Sequence, residues 1–281
     1  MGKNIGLNNV FFVFLVIVSM LYLIHLCRNT PMIENIYFFS NNTKPVYDKV
    51  YLINLKRRPD RLGNFMSHYK KSDLQKTPII KFNAIDGSNL DVEKCPLSEL
   101  ARAELQQLET TGFRTKHYQL TKGAIGCYLS HVKIWEHILK NDYETTLIFE
   151  DDAQVPTNLN QKIHEEMKYI PNDWDIILYG YVCKKCMRFE HYNEVERFML
   201  THCYIIKKSA IVKIMKSNTL FPITQQIDAL MSELSSIVNI YTAKEKLVPQ
   251  FNSRTDIQAP LISKQQRKHL NIDVDARIKV L

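Results

Sequence analysis

The chain has 281 residues, of which 45% are hydrophobic and 23% are charged, a balance that is typical of a globular protein and excludes an intrinsically disordered one. Eight glycines and ten prolines exclude collagen-like and low-complexity architectures, and the length fits one large domain or two small ones. The formal net charge of +8 is compatible with a nucleic acid, an anionic substrate or a membrane as partner, or simply with a basic surface.

An apolar segment near the start is the first predicted element. Residues 10–26 include no Asp, Glu, Lys or Arg, and this length is just sufficient for a helix that spans a bilayer. Because no small-residue cleavage site follows, the sequence predicts an uncleaved transmembrane signal anchor, with a short tail (1–9) before it and a polar stem (27–45) after it. We therefore expect a single-pass type II membrane protein whose domain lies in the lumen of the ER or Golgi, or its equivalent.

The domain is predicted over residues 46–260, and a charged helix or tail over 261–281. Short runs rich in β-branched and aromatic residues predict strands, and apolar residues every three or four positions predict helices. Their alternation indicates an α/β domain with a mostly parallel central sheet. The predicted strands are 49–55, 78–84, 145–149, 174–179, 198–206 and one near Leu247, and the predicted helices are 59–71, 97–109, 121–140, 209–216 and 225–238.

Cys183 and Cys186 form a C-x-x-C pair. A structural zinc site usually needs a second pair at matching spacing, and the sequence has none. The segment after Cys186 reads as a loop, whereas a thioredoxin-like motif needs a strand followed by a helix. We expect either a local disulfide or two free thiols.

Three acids, Glu150, Asp151 and Asp152, directly follow the predicted strand 145–149. In open α/β sheets ligands bind at the carboxyl ends of the strands, and alternation sends Glu150 and Asp152 to one side and Asp151 to the other. Adjacent carboxylates repel one another unless a cation neutralises them, and their oxygens suit Mg²⁺ and Mn²⁺. A metal site is the favoured interpretation, and a solvated acidic turn is the alternative.

The helix predicted over 121–140 begins with Gly123 and Gly126 and carries Ser130 and His131 one turn further on. Glycines let a ligand approach the backbone, and the amides at a helix N-terminus attract phosphate. The alternatives are that the glycines permit close packing and that His131 is structural.

Eight segments together carry a resemblance to a known family. They are KVYLINLKRRPDR (49–61), AIDG (84–87), TKGAIGCYLSHVKIW (121–135), LIFEDDA (147–153), DIILYG (175–180), THCYII (201–206), FPITQQIDAL (221–230) and VPQFNSRTD (248–256). In this order they resemble glycosyltransferase family 25, which includes lipooligosaccharide and procollagen galactosyltransferases. The resemblance covers about 48–258 and implies a GT-A type fold, a UDP-sugar donor, a divalent metal and inversion at the anomeric carbon.

This resemblance implies a role for each candidate site residue. Glu150 and Asp152 are expected to bind Mn²⁺ (or Mg²⁺). Asp228 is expected to be the catalytic base that takes the proton of the acceptor hydroxyl. Asp256 is an alternative candidate for the base. In a further alternative, the roles assigned to Asp151 and Asp228 are exchanged. The residues expected at the UDP-sugar, where arginines would neutralise the diphosphate, are Asn54, Arg57, Arg58, Arg61, Asp86, Gly126, Ser130, His131 and Asp151.

The resemblance, together with the predicted anchor, thus implies a membrane-held, metal-dependent inverting glycosyltransferase. It is expected to move galactose or glucose from a UDP-sugar to a hydroxyl of a glycan or protein acceptor. One alternative is a membrane-anchored, catalytically inactive recognition protein of the same fold, and another is a hydrolase that uses the same carboxylates. Nucleic-acid binding is not expected, because the basic residues are scattered in pairs without an aromatic-interleaved basic stripe.

Overall fold

The structure is a computed structural model that describes residues 45–252, 254–263 and 266, together with Ile33–Glu34. The chain divides into two compact units, Met1–Glu34 and Asn35–Leu281. The predicted anchor at 10–26, nearly all of the stem and most of the tail after 261 lie outside the described residues. Within the part of the chain that is described, no helix is both long enough and apolar enough to cross a membrane.

Strands and helices alternate along the second unit. Its strands are β1 (Lys49–Asn54), β2 (Ile79–Asn83), β3 (Thr145–Glu150), β4 (Ile176–Arg188), β5 (Tyr192–Lys207) and β6 (Ile240–Ala243). Its helices are α1 (Pro59–Tyr69), α2 (Glu99–Thr111), α3 (Lys122–Lys140), α4 (Leu159–Glu166), α5 (Lys208–Lys216) and α6 (Ile227–Glu233).

These strands form a mixed sheet in the order β2–β1–β3–β5–β4–β6, and β6 also pairs with the first residues of β5. β1 is parallel to β2 and β3, and β4 is parallel to β6. β5 runs antiparallel to β3, β4 and β6, so it alone reverses direction among the described strands of this unit. The predicted α/β class with a mostly parallel sheet is confirmed.

Local sequence explains the elements that lie under the site. The apolar runs of β1 and β3 are buried on both faces, as expected for strands in the middle of a sheet covered by helices. Helix α3 begins where the Thr121 side chain accepts a hydrogen bond from the Ala124 amide, which is an N-cap. Its apolar residues, including Trp135, are buried as their helical spacing predicts.

The structure corrects three predicted elements. The strand near Leu247 is wrong, because Leu247 and Val248 are buried without strand structure and the last described strand is β6. The predicted helix 225–238 ends at Glu233 and continues as the 3-10 turn Leu234–Ser236. Helix α4 was not predicted from the sequence.

The segment after Cys186, predicted as a loop, belongs to a long β4–β5 hairpin. The outer half of β4 is mostly exposed, so it lacks the apolar pattern by which a strand is recognised. A disulfide joins Cys183 and Cys186, which is the first of the two predicted alternatives.

Candidate active site

The candidate site lies where the carboxyl ends of β1 and β3 meet at one edge of the sheet. Ile53 pairs with Glu150 in the parallel register, so the last residues of both strands are neighbours. A cleft of about 290 Å³ opens there. Glu150, Asp152 and Asp228 all line this cleft, although α6 brings Asp228 from a distant part of the sequence.

Glu150 is anchored through its Oε1 atom. Thr201 Oγ1 on β5 donates a hydrogen bond to it at 2.7 Å, and His131 Nε2 on α3 lies 3.3 Å from the same oxygen. Burial raises the pKa of Glu150, but the hydrogen bonds from His131 and Thr201 outweigh this effect, and the pKa lies below its ordinary value. Glu150 is therefore an anion at neutral pH, as a ligand for a cation must be.

His131 takes its orientation from two aromatic side chains in the core. His131 Nδ1 lies 2.8 Å from the Tyr204 hydroxyl, and Trp135 Nε1 donates to that hydroxyl at 3.1 Å. Because an indole N–H only donates, every donor is satisfied when Tyr204 donates to His131 Nδ1 and the protonated Nε2 donates to Glu150. His131, Trp135 and Tyr204 are completely buried, so the orientation of Glu150 is set from within the core.

Asp152 has a strongly raised pKa. Burial and the charges of Glu150 and Asp151 raise its pKa to about 7 against the opposing charge of Arg61. Its Oδ2 atom accepts a hydrogen bond from Gln250 Nε2 at 2.9 Å, whereas its buried Oδ1 atom has no partner among the described residues. A buried carboxylate oxygen without a partner is costly, and a cation in the cleft would remove that cost.

Asp151 lines a smaller neighbouring cavity of about 60 Å³ and not the main cleft. Asn54 Nδ2 donates to its Oδ2 atom at 2.8 Å, and Arg61 Nη1 donates to its Oδ1 atom at 3.0 Å. Burial raises the pKa of Asp151 in spite of both bonds. Asp152 lines the main cleft and Asp151 the smaller cavity, as the predicted alternation has it, whereas Glu150 lines both.

Arg57 and Arg58, predicted to bind phosphate, already hold carboxylates around this smaller cavity. Arg57 Nε lies 2.6 Å from Asp86 Oδ2, and Arg57 Nη1 lies 2.5 Å from Asp256 Oδ1. Arg58 forms an ion pair with the other oxygen of Asp256. Both oxygens of Asp256 are thus engaged by guanidinium groups, and neither is free to take a proton from a substrate.

Asp228 lies in the first turn of α6 and is held by backbone amides. Leu200 N donates to its Oδ2 atom at 3.1 Å, and Ala229 N donates to its Oδ1 atom at 2.8 Å. Burial raises the pKa of Asp228, with a contribution from the charge of Glu150 and against these two bonds. Within the described ranges no basic side chain forms an ion pair with Asp228, so it lacks the neutralisation that Asp256 has.

Residues at the start of α3 pack against the loop after β2. A Cβ atom on Gly126 would collide with the carbonyl oxygen of Ile85. Ser130 Oγ donates to Gly126 O at 2.7 Å and accepts from Ile85 N at 2.9 Å. Ser130 and His131 have no exposed side-chain surface, and they hold the loop after β2 and Glu150 in place. Their direct contact with a donor, and that of Gly126, stays a prediction.

Two overlapping groups of side chains are able to hold a metal ion. Glu150 and Asp152 offer hard oxygen donors, and the unpartnered Oδ1 atom of Asp152 fits a divalent cation such as Mn²⁺. Cys127, His131 and Glu150 form the second group, with potential ligand atoms within 4.8 Å of one another. Burial raises the pKa of the Cys127 thiol well above its ordinary value, so a metal would have to displace its proton. The carboxylate pair fits better.

Sequence reasoning missed three residues that shape the cleft: Thr201, Tyr204 and Gln250. Thr201 and Tyr204 lie in the segment THCYII, and Gln250 lies in VPQFNSRTD, so the family resemblance includes all three. The roles of Thr201 and Tyr204 depend on the antiparallel register of β5 beside β3, in which Ile148 pairs with Tyr204, and Gln250 is placed by its antiparallel bridge to Ala153. The local sequence contains no signal for that register.

The chain is similar in sequence to known glycosyltransferases. Residues 47–231 match the sequence profile described as "Glycosyltransferase family 25 (LPS biosynthesis protein)". Procollagen galactosyltransferase 2 of Homo sapiens is 30% identical over 139 residues, which cover 48% of this chain and 21% of that protein. Procollagen galactosyltransferase 1 of Danio rerio is 28% identical over 171 residues, covering 58% and 26%.

A third relative has a different description. Inactive glycosyltransferase 25 family member 3 of Mus musculus is 28% identical over 141 residues, which cover 49% of this chain and 22% of that protein. The chain therefore matches about a fifth to a quarter of the length of these three relatives.

Proposed function

The chain belongs to glycosyltransferase family 25, and on this premise we propose that it is a metal-dependent, inverting hexosyltransferase with a GT-A type fold. It transfers galactose or glucose from a UDP-sugar to a hydroxyl of a glycan or protein acceptor. The observation that carries this proposal is that Glu150, Asp152 and Asp228 line one cleft beside a group of arginines. The family itself, first inferred from motifs in the sequence, is confirmed.

Asp228 is the proposed catalytic base. As the acceptor oxygen bonds to the anomeric carbon, its proton passes to the Asp228 carboxylate, and UDP leaves with the electron pair of the broken carbon–oxygen bond. The raised pKa of Asp228 supports this role, because a stronger base removes a hydroxyl proton more readily. Asp256 and Asp151 are weaker candidates, since arginines already occupy their oxygens.

The reaction also requires that the negative charge of the leaving diphosphate be stabilised. A divalent cation held by Glu150 and Asp152 would supply positive charge against the charge that develops on the leaving group. Arg57, Arg58 and Arg61 are the protein's own cations beside these acids, and guanidinium groups bind phosphate oxygens in pairs. Asn54 and Asp86 act indirectly in this proposal, by holding Asp151 and Arg57 in position, although both were predicted to contact the donor.

A location in an oxidising lumen, with the anchor of residues 10–26 in the membrane, is part of the same proposal. The Cys183–Cys186 disulfide supports it, because disulfides persist in secretory compartments and are rare in the cytosol. The membrane topology is testable by protease protection of the full chain in microsomes: a protected domain is expected, and complete digestion without detergent would overturn the type II arrangement.

A panel of nucleotide sugars tests the activity. The purified full chain is incubated with each donor and Mn²⁺, and released nucleoside diphosphate is measured with and without EDTA. Release of UDP from UDP-galactose or UDP-glucose is expected, with loss of the signal in EDTA and recovery on excess Mn²⁺.

The alternative is a protein that binds its ligand without turnover. It is supported by the similarity to a relative of Mus musculus that is described as inactive. It predicts binding of a UDP-sugar by calorimetry without UDP release. If no UDP-sugar is bound or consumed in Mn²⁺ or Mg²⁺, the proposed function is wrong.

A further inference from the structure

A second cleft adjoins the main cleft at Asp228. It encloses about 250 Å³, and Asp228, Tyr118 and Met199 line both clefts. An enzyme that transfers a group in a single displacement must hold two substrates with its base between them. If the main cleft binds the nucleotide sugar, as the proposed function requires, the second cleft is the space from which an acceptor hydroxyl can reach Asp228.

The β4–β5 hairpin supplies the charge of the second cleft. Lys184 and Arg197 line it, both are exposed, and neither forms an ion pair with any described residue. Two exposed acids, Glu196 and Glu233, line it as well, but Glu196 is bonded by Lys185. On the outer part of this cleft, two cations without an ion pair, Lys184 and Arg197, therefore outnumber the one exposed acid that has none, Glu233.

The Cys183–Cys186 disulfide brackets two lysines with different environments. Lys185 pairs across the hairpin with Glu196, whereas Lys184 faces the second cleft. A covalent link over so short a segment restrains the backbone on which Lys184 is placed. Lys184 therefore lines the cleft directly, and Lys185 neutralises a glutamate that lines it.

Tyr118 stands where the two clefts meet. Its side chain is 41% exposed, and its hydroxyl donates to Met199 Sδ at 2.8 Å. A partly exposed aromatic ring gives the C–H face of a sugar an apolar surface, while nearby charged side chains bind its polar groups. These features favour a carbohydrate over an extended peptide as the occupant.

From this arrangement we propose that the second cleft binds the acceptor, and that the acceptor is a glycan with a negatively charged group, a carboxylate or a phosphate, near the reacting hydroxyl. Lys184 and Arg197 bind the anionic group, the Tyr118 ring packs on the sugar, and Asp228 takes the proton of the hydroxyl. The proposal rests on the proposed transferase function and adds the class of acceptor to it.

The test compares three acceptors that share one disaccharide core: a neutral form, a uronic acid form and a phosphate monoester form. With the full chain, Mn²⁺ and the active UDP-sugar, a lower KM is expected for one or both anionic forms, and the difference between those two identifies the preferred anion. Lys184→Ala and Arg197→Ala should each reduce the KM advantage of the preferred anionic form about fivefold, the upper range for an exposed charge pair. Lys216→Ala is the control, because Lys216 is exposed and lines neither cleft, and it should leave that advantage intact.

A binding measurement separates this proposal from the proposed function. Saturation-transfer NMR with the anionic disaccharides alone needs no donor and no turnover, and weaker binding to Arg197→Ala supports the acceptor cleft even if every nucleotide sugar is inert. Equal KM values for neutral and anionic acceptors, or an equal loss in Lys216→Ala, would overturn the anionic acceptor. Preference for an acidic peptide over all three disaccharides would overturn the glycan.

Discussion

The acids at the two ends of the site differ in the groups that bond to their carboxylate oxygens. At the arginine end (Arg57, Arg58, Asp86, Asp151 and Asp256) each carboxylate is bonded by at least one guanidinium group, in part from Arg61, which lies between the ends. At the carboxylate end (Glu150, Asp152 and Asp228), Glu150 is held by Thr201 and His131, and Asp228 is held by backbone amides. Asp152 lies 3.5 Å from Arg61 and keeps one oxygen without a described partner.

This difference shows that the carboxylate end has an excess of negative charge and that the arginine end does not. At the arginine end the charges are balanced, so the diphosphate of the proposed donor would have to compete with carboxylates for the same guanidinium groups. The carboxylate end gathers negative charge in a buried place, and burial raises the pKa of both Asp152 and Asp228. A dication held by Glu150 and Asp152 would neutralise these acids and would supply positive charge for a diphosphate.

The largest expected effect comes from Asp228→Asn, which removes the proposed base and preserves the shape of the side chain. A fall in kcat of about 10²- to 10⁴-fold is expected with donor binding retained, since general base catalysis contributes that much. Asp256→Asn at the arginine end is the comparison, and a smaller effect on kcat is expected from it. A larger loss in Asp256→Asn would move the base to the arginine end and break the contrast between the two ends.

The same base predicts the direction of the pH dependence. Transfer needs the ionised Asp228, and its pKa is raised by burial, so kcat is expected to fall on the acidic side at a higher pH than an ordinary aspartate would give. The measurement is kcat against pH at saturating donor and acceptor. An acidic limb at or below the ordinary aspartate pKa of about 3.9 would contradict the assignment.

Asp152→Asn tests whether the carboxylate end needs a cation. Loss of a ligand is expected to weaken Mn²⁺ binding by about 100-fold or more, since outer-shell changes alone cost 10- to 100-fold. Mn²⁺ should raise the Tm of the unsubstituted chain and not that of the variant, because a ligand stabilises the state that binds it. In the absence of metal the variant should melt no lower than the unsubstituted chain, since the change removes like-charge repulsion.

Asp142→Asn is the control for that experiment, because Asp142 lies just before β3 and its side chain is 84% exposed. It should keep the full shift of Tm with Mn²⁺. An equal shift in Asp152→Asn would show that the cation does not bind at the carboxylate end.

Much of the difference between the arginine end and the carboxylate end can be predicted from the sequence, because it depends on local patterns. The apolar runs of β1 and β3 predict buried strands, and the place of Glu150 at the carboxyl end of β3 follows from that run alone. The predicted alternation separates Asp151 from Asp152, and Glu150 borders both cavities.

The remainder depends on contacts between distant segments. Asp228 reaches the cleft because β5 reverses direction beside β3 and presents the Leu200 amide to it, and only the family resemblance indicated this residue. The β4–β5 hairpin was missed because its exposed outer half has no apolar pattern. The strand predicted near Leu247 was wrong because a buried apolar pair satisfies that pattern without belonging to the sheet.

Tyr204→Phe is expected to have an intermediate effect at the carboxylate end. Without the hydroxyl, His131 Nδ1 loses its partner, and the imidazole is no longer held in the form that donates from Nε2 to Glu150. A loss of Mn²⁺ affinity of about tenfold is expected, measured by titration of Tm, together with rescue of binding at higher Mn²⁺.

Tyr179→Phe is a closely matched control for Tyr204→Phe. Tyr179 is equally buried, and its hydroxyl has no hydrogen-bond partner among the described residues. The control should leave Mn²⁺ affinity unchanged. Equal behaviour of the two variants would reduce the Tyr204–His131 contact to ordinary packing.

The smallest expected effect is at the arginine end, where substitution removes a charge that is already shared. Arg57→Gln should raise the donor KM about fivefold with little change in kcat, because the diphosphate retains Arg58, Arg61 and the cation. The Arg57 side chain is 45% exposed and that of Arg58 is 13% exposed, so salt should screen the first charge more than the second. Donor KM measured at low and high salt is therefore expected to converge for Arg57→Gln and the unsubstituted chain, and to stay apart for Arg58→Gln. Convergence for both variants would mean that the diphosphate meets the arginines in open solvent, and the balanced arginine end would then be a surface feature and not part of the donor site.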